Sequence, residues 1–536
     1  MPSERPYSST PWATSSRNFR TRHHIGCDDE EINQYEYPMK RLALLLLPIA
    51  VQAQKRPNII WLMADDLGYG DISCYGATRV QTPAIDAVAR QGLRFTDMHA
   101  CASTSTPSRY GILTGEYPFL HPGTDVAAGN AGTIIKPEQY TLADAMKAAG
   151  YRTAALGKWH LGLGSRTGEQ NWNGQLDVAP DSLGFDYSYI MAATADRVPC
   201  VFIEQGHIAN FDPSAPIEVS YRQNFEGEPT GASHPELLTK LRPSHGHDMS
   251  IVNGISRIGY MKGGGKALWR DEDIADSITA HALQFIDENK DAPFFMYLCA
   301  NDIHVPRMPH ERFRGKSPMG LRGEAILSLD DMVGAVTAKL DQLGLRENTL
   351  LIITSDNGPV LDDGYDDKSE ELAGDHKPGG PFRGGKYSAF EAGSIVPFIV
   401  SWPGHVKHGE SHALVSQVDA VRTLAAIAKI NLPAQAAPNS LDMHKTWLGK
   451  SSKSRPYAVK MAANHALVLR ASEWKYIEPT PGAPMITWGP KIETGYLQQP
   501  QLYRVSHSPY EQENEAASHP ELTQKFQSIL DGLRKR

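Results

Sequence analysis

Four strand-length runs of apolar residues end in polar clusters, and few folds accommodate that arrangement. Asn58-Ile-Ile-Trp-Leu-Met-Ala64 is apolar after its first residue and stops at Asp65-Asp66-Leu67-Gly68. Thr153 to Leu156 stops at Gly157-Lys158-Trp159-His160, and Phe294 to Ala300 at Asn301-Asp302-Ile303-His304. Thr349 to Thr354 stops at Ser355-Asp356-Asn357-Gly358, and Phe398 to Trp402 reads as a further short strand. Short apolar runs without alternation fit strands buried on both faces, as in a parallel sheet. Helical patterns lie between them: Leu142 to Ala149 with a stop at Gly150, Asp271 to Asn289, and Glu324 to Leu343. Strands alternating with helices predict an α/β fold with a large, mostly parallel or mixed sheet between helices. Ligands of such sheets bind beyond the carboxyl ends of the strands. The four polar clusters are therefore expected to converge on one site.

After about residue 455 the pattern changes. Ala466 to Arg470 and Trp474 to Ile477 read as short strands around a turn, and Leu522 to Leu533 as a closing helix. A smaller C-terminal subdomain of antiparallel sheet plus one helix is expected over 456–536, after a catalytic domain at 54–455; a chain of 536 residues is long for one core. Residues 205–270 lack clear periodicity and read as an excursion that shapes a pocket. Residues 360–385 form a Gly/Asp/Lys-rich loop.

A net charge of -8 without a basic run excludes nucleic acid as a partner. Five cysteines (27, 74, 101, 200 and 299) show no C-x-x-C pair, so each reads as a small buried hydrophobe. No apolar run reaches the length of a membrane span. Met39-Lys40-Arg41, the apolar Leu42 to Val51, and Val51-Gln52-Ala53 form a signal peptide over 39–53, cleaved after Ala53. Export to the periplasm or the outside of a bacterial cell is expected. Gln54 in place of Cys gives no lipid anchor. Residues 1–38 are expected to be a non-native or disordered extension, with translation starting at Met39.

Ser105-Thr106-Pro107-Ser108-Arg109 opens a helix by its local chemistry. Pro suits the first helical position, a hydroxyl residue before it can cap free N–H groups, and the terminus favours anions. Asp65, Asp66, Asp356 and Asn357 offer only hard oxygen ligands, which suit calcium, or magnesium as second choice, rather than zinc. Taken singly, Asp65-Asp66 reads equally well as a helix cap and Asp356-Asn357-Gly358 as a tight turn. Lys158 and Lys386 alone read as solvated surface charges, and His160 or His304 alone as a structural histidine.

Together these stretches resemble the type I, formylglycine-dependent sulfatases of the alkaline phosphatase superfamily. Ser105-Thr-Pro-Ser-Arg109 with Leu113-Thr114-Gly115 resembles the family signature in its serine subtype. Gly157-Lys158-Trp159-His160-Leu161-Gly162 resembles the second signature, and Asp65-Asp66-Leu67-Gly68-Tyr69-Gly70-Asp71 the metal-binding start. Ser355-Asp356-Asn357-Gly358 and Arg383-Gly-Gly-Lys386 with Glu391 complete the order. The resemblance spans about residues 56 to 520. It implies sulfate ester hydrolysis, with O-sulfate groups on carbohydrates, a galactose or N-acetylgalactosamine sulfate of a glycan, as the expected substrate. It further implies one calcium ion held by Asp65, Asp66, Asp356, Asn357 and Ser105, with Ser105 oxidised to formylglycine by a radical-type maturing enzyme before export. Arg109, Lys158, His160, His304 and Lys386 take catalytic or sulfate-binding roles. The aldehyde hydrate attacks sulfur, His304 protonates the leaving alcohol, and His160 takes the proton whose loss expels sulfate. The family's Glu-Gly-Gly is Glu391-Ala392-Gly393 here.

Substrate contacts follow from a looser resemblance. Gly184 to Cys200 is similar to an arylsulfatase-like segment that turns back into the pocket, with Thr194 at a sulfate-contacting position. Asp196, Arg197, His247 and Arg307 are candidates to meet hydroxyls of a sulfated carbohydrate, with ordinary loop polarity as the competing reading. Two other functions stand beside this one: a phosphatase or phosphodiester hydrolase of the same superfamily, and a non-catalytic sulfoglycan-binding protein if Ser105 is not converted.

Overall fold

The structure, a computed structural model, describes residues 56–535; the expected extension at 1–38 and signal peptide at 39–53 lie outside the described residues. Among the described residues the main sheet has ten strands: β1 Asn58–Ala64, β2 Leu93–Phe95, β3 Arg152–Lys158, β4 Tyr187–Met191, β5 Phe202–Glu204, β6 His207–Ile208, β7 Phe294–Cys299, β8 Thr349–Ser355, β9 Phe398–Ser401 and β10 Gly409–Ser411. Their order across the sheet is β10-β2-β9-β8-β1-β7-β3-β4-β5-β6. The five central strands, β8 to β4 in that order, run parallel. Every residue of β1, β7 and β8 is buried, which is why these strands are apolar without alternation.

Register sets the site. Met63 lies opposite both Cys299 and Thr354, Ala64 opposite Ser355, and Cys299 opposite Gly157. The carboxyl ends of four strands are thus level, and the polar residues that follow them emerge at one edge of the sheet.

The sheet is mixed at its margins. Phe398–Ser401 runs antiparallel to β8, β5 runs antiparallel to β4, and β6 antiparallel to β5. A four-residue apolar run carries no record of its direction. Helices Ile274–Glu288 and Gly320–Gln342 pack together, and Ser105–Thr114, Leu142–Ala148 and Ala420–Ala428 form a second group. The helix expected from Glu324 begins a turn earlier, at Gly320. Asp271–Asp273, expected to be α-helical, is a 3-10 turn.

The C-terminal sheet is antiparallel: β11 Ala458–Met461, β12 Leu467–Ala471, β13 Trp474–Ile477 and β14 Gln501–Arg504, with the closing helix Pro520–Arg534 beside it. It does not stand apart. Leu467, Leu469 and Phe526 share one apolar cluster with Cys101, Ala102, Tyr117 and Val418. Backbone bonds knit β11 to the stretch just before Ser105: Ser103 N–H donates to Met461 O, and Met461 N–H to Cys101 O. Tyr387 N–H donates to Ser103 O, and Ala463 N–H to Tyr387 O. Cys101, Cys200 and Cys299 are buried as expected, Cys74 is half-buried, and these four are free thiols.

Glu391 is the electrostatic centre of that junction. Its buried carboxylate lies 3.3 Å from Lys460 Nζ, 3.1 Å from Lys475 Nζ and 2.9 Å from Arg470 Nε, all from the C-terminal sheet. Burial alone would raise its pKa, but Lys460, Lys475 and Arg470 outweigh it and hold the group well below the usual carboxylate range. Removing one partner strands buried charges on the others. Glu391→Ala is therefore expected to cost about 3–5 kcal/mol of stability, read as a lowered urea midpoint at unchanged slope. An unchanged midpoint would show that the cluster contributes nothing.

Candidate active site

Ser105 is the first residue of its helix, and Thr104, in extended conformation, is the N-cap. The expected hydroxyl cap is not made: Thr104 forms no side-chain cap bond, and Pro107 sits at the third helical position. The serines are committed elsewhere. Ser108 Oγ bonds Ala102 N and O, which pins the turn. Ser105 Oγ accepts from Lys158 Nζ at 2.8 Å and lies 3.4 Å from Asp65 Oδ1 and 3.3 Å from Asn357 Oδ1. A left-handed Gly115 (φ 66°) ends the helix with its N–H on Gly111 O.

The strand ends deliver the rest. Asp65 and Asp66 follow β1, and Asp65 N–H donates to Asp302 O while Ile303 N–H donates to Asp65 O, so the β1 and β7 ends brace each other. Asn357 Nδ2 donates to Asp66 Oδ1 at 2.8 Å, and Asp66 N–H to Asp356 Oδ1 at 3.3 Å. Lys158 Nζ lies 2.6 Å from Asp65 Oδ2 and 3.7 Å from Asp356 Oδ2. Lys386 Nζ donates to Asp66 Oδ2 at 2.8 Å and Asp363 Oδ2 at 2.7 Å. The segments that the four strand ends predicted do meet, around Ser105.

Two histidines flank this cluster in defined tautomers. His160 Nε2 is 2.9 Å from Ala127 O; a carbonyl only accepts, so Nε2 carries the proton. Its Nδ1 is buried without a hydrogen-bond partner among the described residues. His304 Nδ1 likewise donates to Val305 O at 2.7 Å, which leaves the Nε2 lone pair 3.2 Å from Lys386 Nζ. Burial lowers both well below the ordinary histidine range, with Lys158 adding to the effect at His160 and Lys386 at His304.

Three carboxylates and an amide oxygen crowd one buried volume, and ligand atoms of Asp65, Asp66 and His304 lie within 4.8 Å of one another. Burial raises the Asp65 pKa, and Asp356 and Asp66 add to this against the pull of Lys158. A cluster that short of positive charge fits a bound cation, and oxygen donors suit a hard one. The acidic groups are thus able to hold a divalent metal.

The site opens into a cavity of about 350 Å³ lined by Ser105, His160, His304 and Lys386 together with Asp196, Arg197 and His247. The sequence model of the family described as Sulfatase matches residues 57–430. The chain belongs to the sulfatase family. It is 50% identical over 485 residues to an N-acetylgalactosamine-6-O-sulfatase of Bacteroides thetaiotaomicron, covering 90% of this chain and 94% of that protein. It is 31% identical to human arylsulfatase A, covering 77% and 72%. A solved structure concerned with metabolism of multiple glycosaminoglycans by Bacteroides thetaiotaomicron superposes with a TM-score of 0.88 at 50% identity, covering 90% of this chain and all of that one. The protein is a sulfuric ester hydrolase on the alkaline-phosphatase-like fold.

Within this sulfatase, three expected contacts differ. Arg109, expected in a catalytic or sulfate-binding role, spends its donors behind the site. Its Nε and Nη2 donate to Asp356 Oδ2 at 3.1 and 2.8 Å, and Nη1 to Lys158 O at 2.9 Å, so it fixes the Asp356 carboxylate. Thr194 does not line the cavity; its hydroxyl accepts from Arg197 Nη1 at 2.7 Å, and Arg197 is the group presented. Arg307 is buried, with its donors spent on Ile303, Val360 and Leu361 carbonyls and on Asp367. Asp196 and His247 do reach the cavity, bonded through His247 Nε2 at 3.0 Å. Gly364 (φ 114°) makes this approach possible, since a Cβ there would fall 2.1 Å from the His247 ring.

Sequence reasoning missed Asp363, which pairs with Lys386 and accepts from Tyr387 Oη at 2.9 Å. Its position in a Gly/Asp/Lys-rich loop next to the Asp356-Asn357-Gly358 end was the available signal. Tyr387, His245 and Trp488 also line the cavity, and no motif marks them.

Proposed function

We propose that this sulfatase removes O-sulfate groups from carbohydrates, with 6-O-sulfated N-acetylgalactosamine units of glycans as the substrate class. The observation that carries the reading is Ser105 Oγ, held between Lys158, Asp65 and Asn357 at the wall of a cavity that also presents Asp196, Arg197 and His247. The N-acetylgalactosamine-6-O-sulfatase likeness supplies the sugar.

Asp65, Asp66, Asp356, Asn357 and the group at 105 would hold a calcium ion, which would supply Lewis-acid polarisation of the sulfate. Conversion of Ser105 to formylglycine, by a radical-type maturing enzyme before export, supplies a hydrated aldehyde as the nucleophile. Lys158 and Lys386 neutralise sulfate oxygens from two sides. Arg109 holds Asp356 in place through its fork. His160, with Nε2–H fixed on Ala127 O, takes a proton at Nδ1. His304, with Nδ1–H fixed on Val305 O, acts at Nε2: that nitrogen takes up a proton from solvent as the substrate anion binds and passes it to the leaving oxygen. Release of inorganic sulfate from N-acetylgalactosamine 6-sulfate tests the reading, and a peptide about 2 Da lighter than serine predicts at Ser105 tests the conversion. Faster hydrolysis of an aryl phosphate than an aryl sulfate would overturn it.

A sugar alkoxide is a poor leaving group, so a general acid is worth roughly 10²–10⁴ in rate. His304→Ala is expected to lower kcat on a sugar sulfate by that factor and on an activated aryl sulfate far less. Equal losses on both substrates would remove His304 from the acid role.

A further inference from the structure

Trp488 is half exposed, at 50%, yet it lines the cavity that holds Ser105 and Lys386. A lone exposed apolar residue needs no explanation; one at the mouth of a reactive cavity does. Trp488 sits in a braced loop. Ile486 N–H donates to Ile492 O at 2.9 Å, Met485 bridges Glu493, and Arg383 Nε holds the Glu493 carboxylate at 2.7 Å. Its ring meets Tyr387 edge to face, with centroids 4.9 Å apart and planes at 78°, and lies 6.2 Å from the His245 ring. Tyr387 is fixed in turn by Asp363, and His245 rests against the Gly489 backbone, where a Cβ would fall 2.0 Å from its ring. The wall is therefore built and held in place without a ligand.

The cavity is about 350 Å³, at the low end of the roughly 300–1,000 Å³ of small-molecule sites. It has room for one sulfated sugar ring. The next ring of a glycan has to leave through the mouth, past Trp488. A pyranose has an apolar C–H face, and a rigid indole offers a large apolar surface at low entropic cost. We infer that Trp488, backed by Tyr387 and His245, forms a stacking subsite for the sugar unit next to the sulfated one. This makes it a specificity-determining residue that favours oligosaccharides over monosaccharides. The inference rests on the carbohydrate sulfatase reading above.

The test compares N-acetylgalactosamine 6-sulfate with a disaccharide carrying that unit at its non-reducing end. Calorimetry on the Ser105→Ala variant and on the Ser105→Ala/Trp488→Ala double variant gives the affinity ratio of disaccharide to monosaccharide without turnover. Loss of the indole's apolar contact with one sugar ring is expected to lower that ratio about tenfold. In the catalytically competent protein the loss should appear in KM rather than kcat, with Trp488→Phe recovering most of it. A ratio that Trp488→Ala leaves unmoved overturns the subsite, as does an equal loss of both ligands. Absence of sulfate release from either sugar by the unaltered protein would instead refute the function proposed above, so the two failures are distinct.

Discussion

Ser105→Ala is expected to abolish sulfate release while leaving the fold intact. The change deletes a single oxygen. Lys158 Nζ keeps Asp65 Oδ2 at 2.6 Å as its partner, so no buried cation is stranded. The Ser108 contacts with Ala102 and the Gly115 stop still hold the helix. What disappears is the only group at this position that can become the nucleophile. Losses of about 10⁴-fold or more accompany removal of a covalent nucleophile, because what remains is binding and electrostatics alone. Ion chromatography of released sulfate, beside a thermal melt, checks both halves. Activity within tenfold of the unaltered protein at an unchanged melt would refute Ser105 as the nucleophile.

Chelation is expected to have the second largest effect, on activity and stability together. Four carboxylates, Asp65, Asp66, Asp356 and Asp363, share the site with three cations, Lys158, Arg109 and Lys386. Burial, with Lys158 beside His160 and Lys386 beside His304, holds the histidines neutral, so they add no charge. The site is thus negative before a sulfate enters, and only a further cation reverses that. Dialysis against EDTA should eliminate turnover and lower the melting temperature, and calcium should restore both. A ligand present at 100 times its Kd stabilises by about 2.7 kcal/mol, and the effect grows with concentration. Asp65→Ala should erase the calcium-dependent shift in melting temperature. A melt indifferent to EDTA and calcium in the native protein would show that no such ion binds.

The strand ends were legible because a fully buried parallel strand must be apolar, and its end must then be marked by polarity. Asp65, Asp66, Lys158, Asp356 and Asn357 could be gathered from that rule before any geometry. The destination of a long side chain could not. Arg109 sits four residues from Ser105, yet its fork closes on Asp356, 247 positions away. Arg307 and Thr194 were polar and in plausible stretches, and tertiary partners consumed their hydrogen-bonding groups. Strand β11 escaped notice because Lys460 interrupts its apolar run, and Lys460 is buried only because Glu391 receives it. Trp488 belongs to an aperiodic loop, where neither spacing nor composition separates a recognition surface from a connector.

Strand β11 has a bearing on how such proteins can be cut and recombined. It holds the backbone of 101–103 on one side, and through Ala463 and Tyr387 the stretch that carries Lys386 on the other. A fragment ending before Ala458 would retain every catalytic and metal-binding side chain and still lack the template that aligns two of them. Hybrids that join the front of one family member to the tail of another must therefore match at this seam, or lose alignment without losing a single catalytic group.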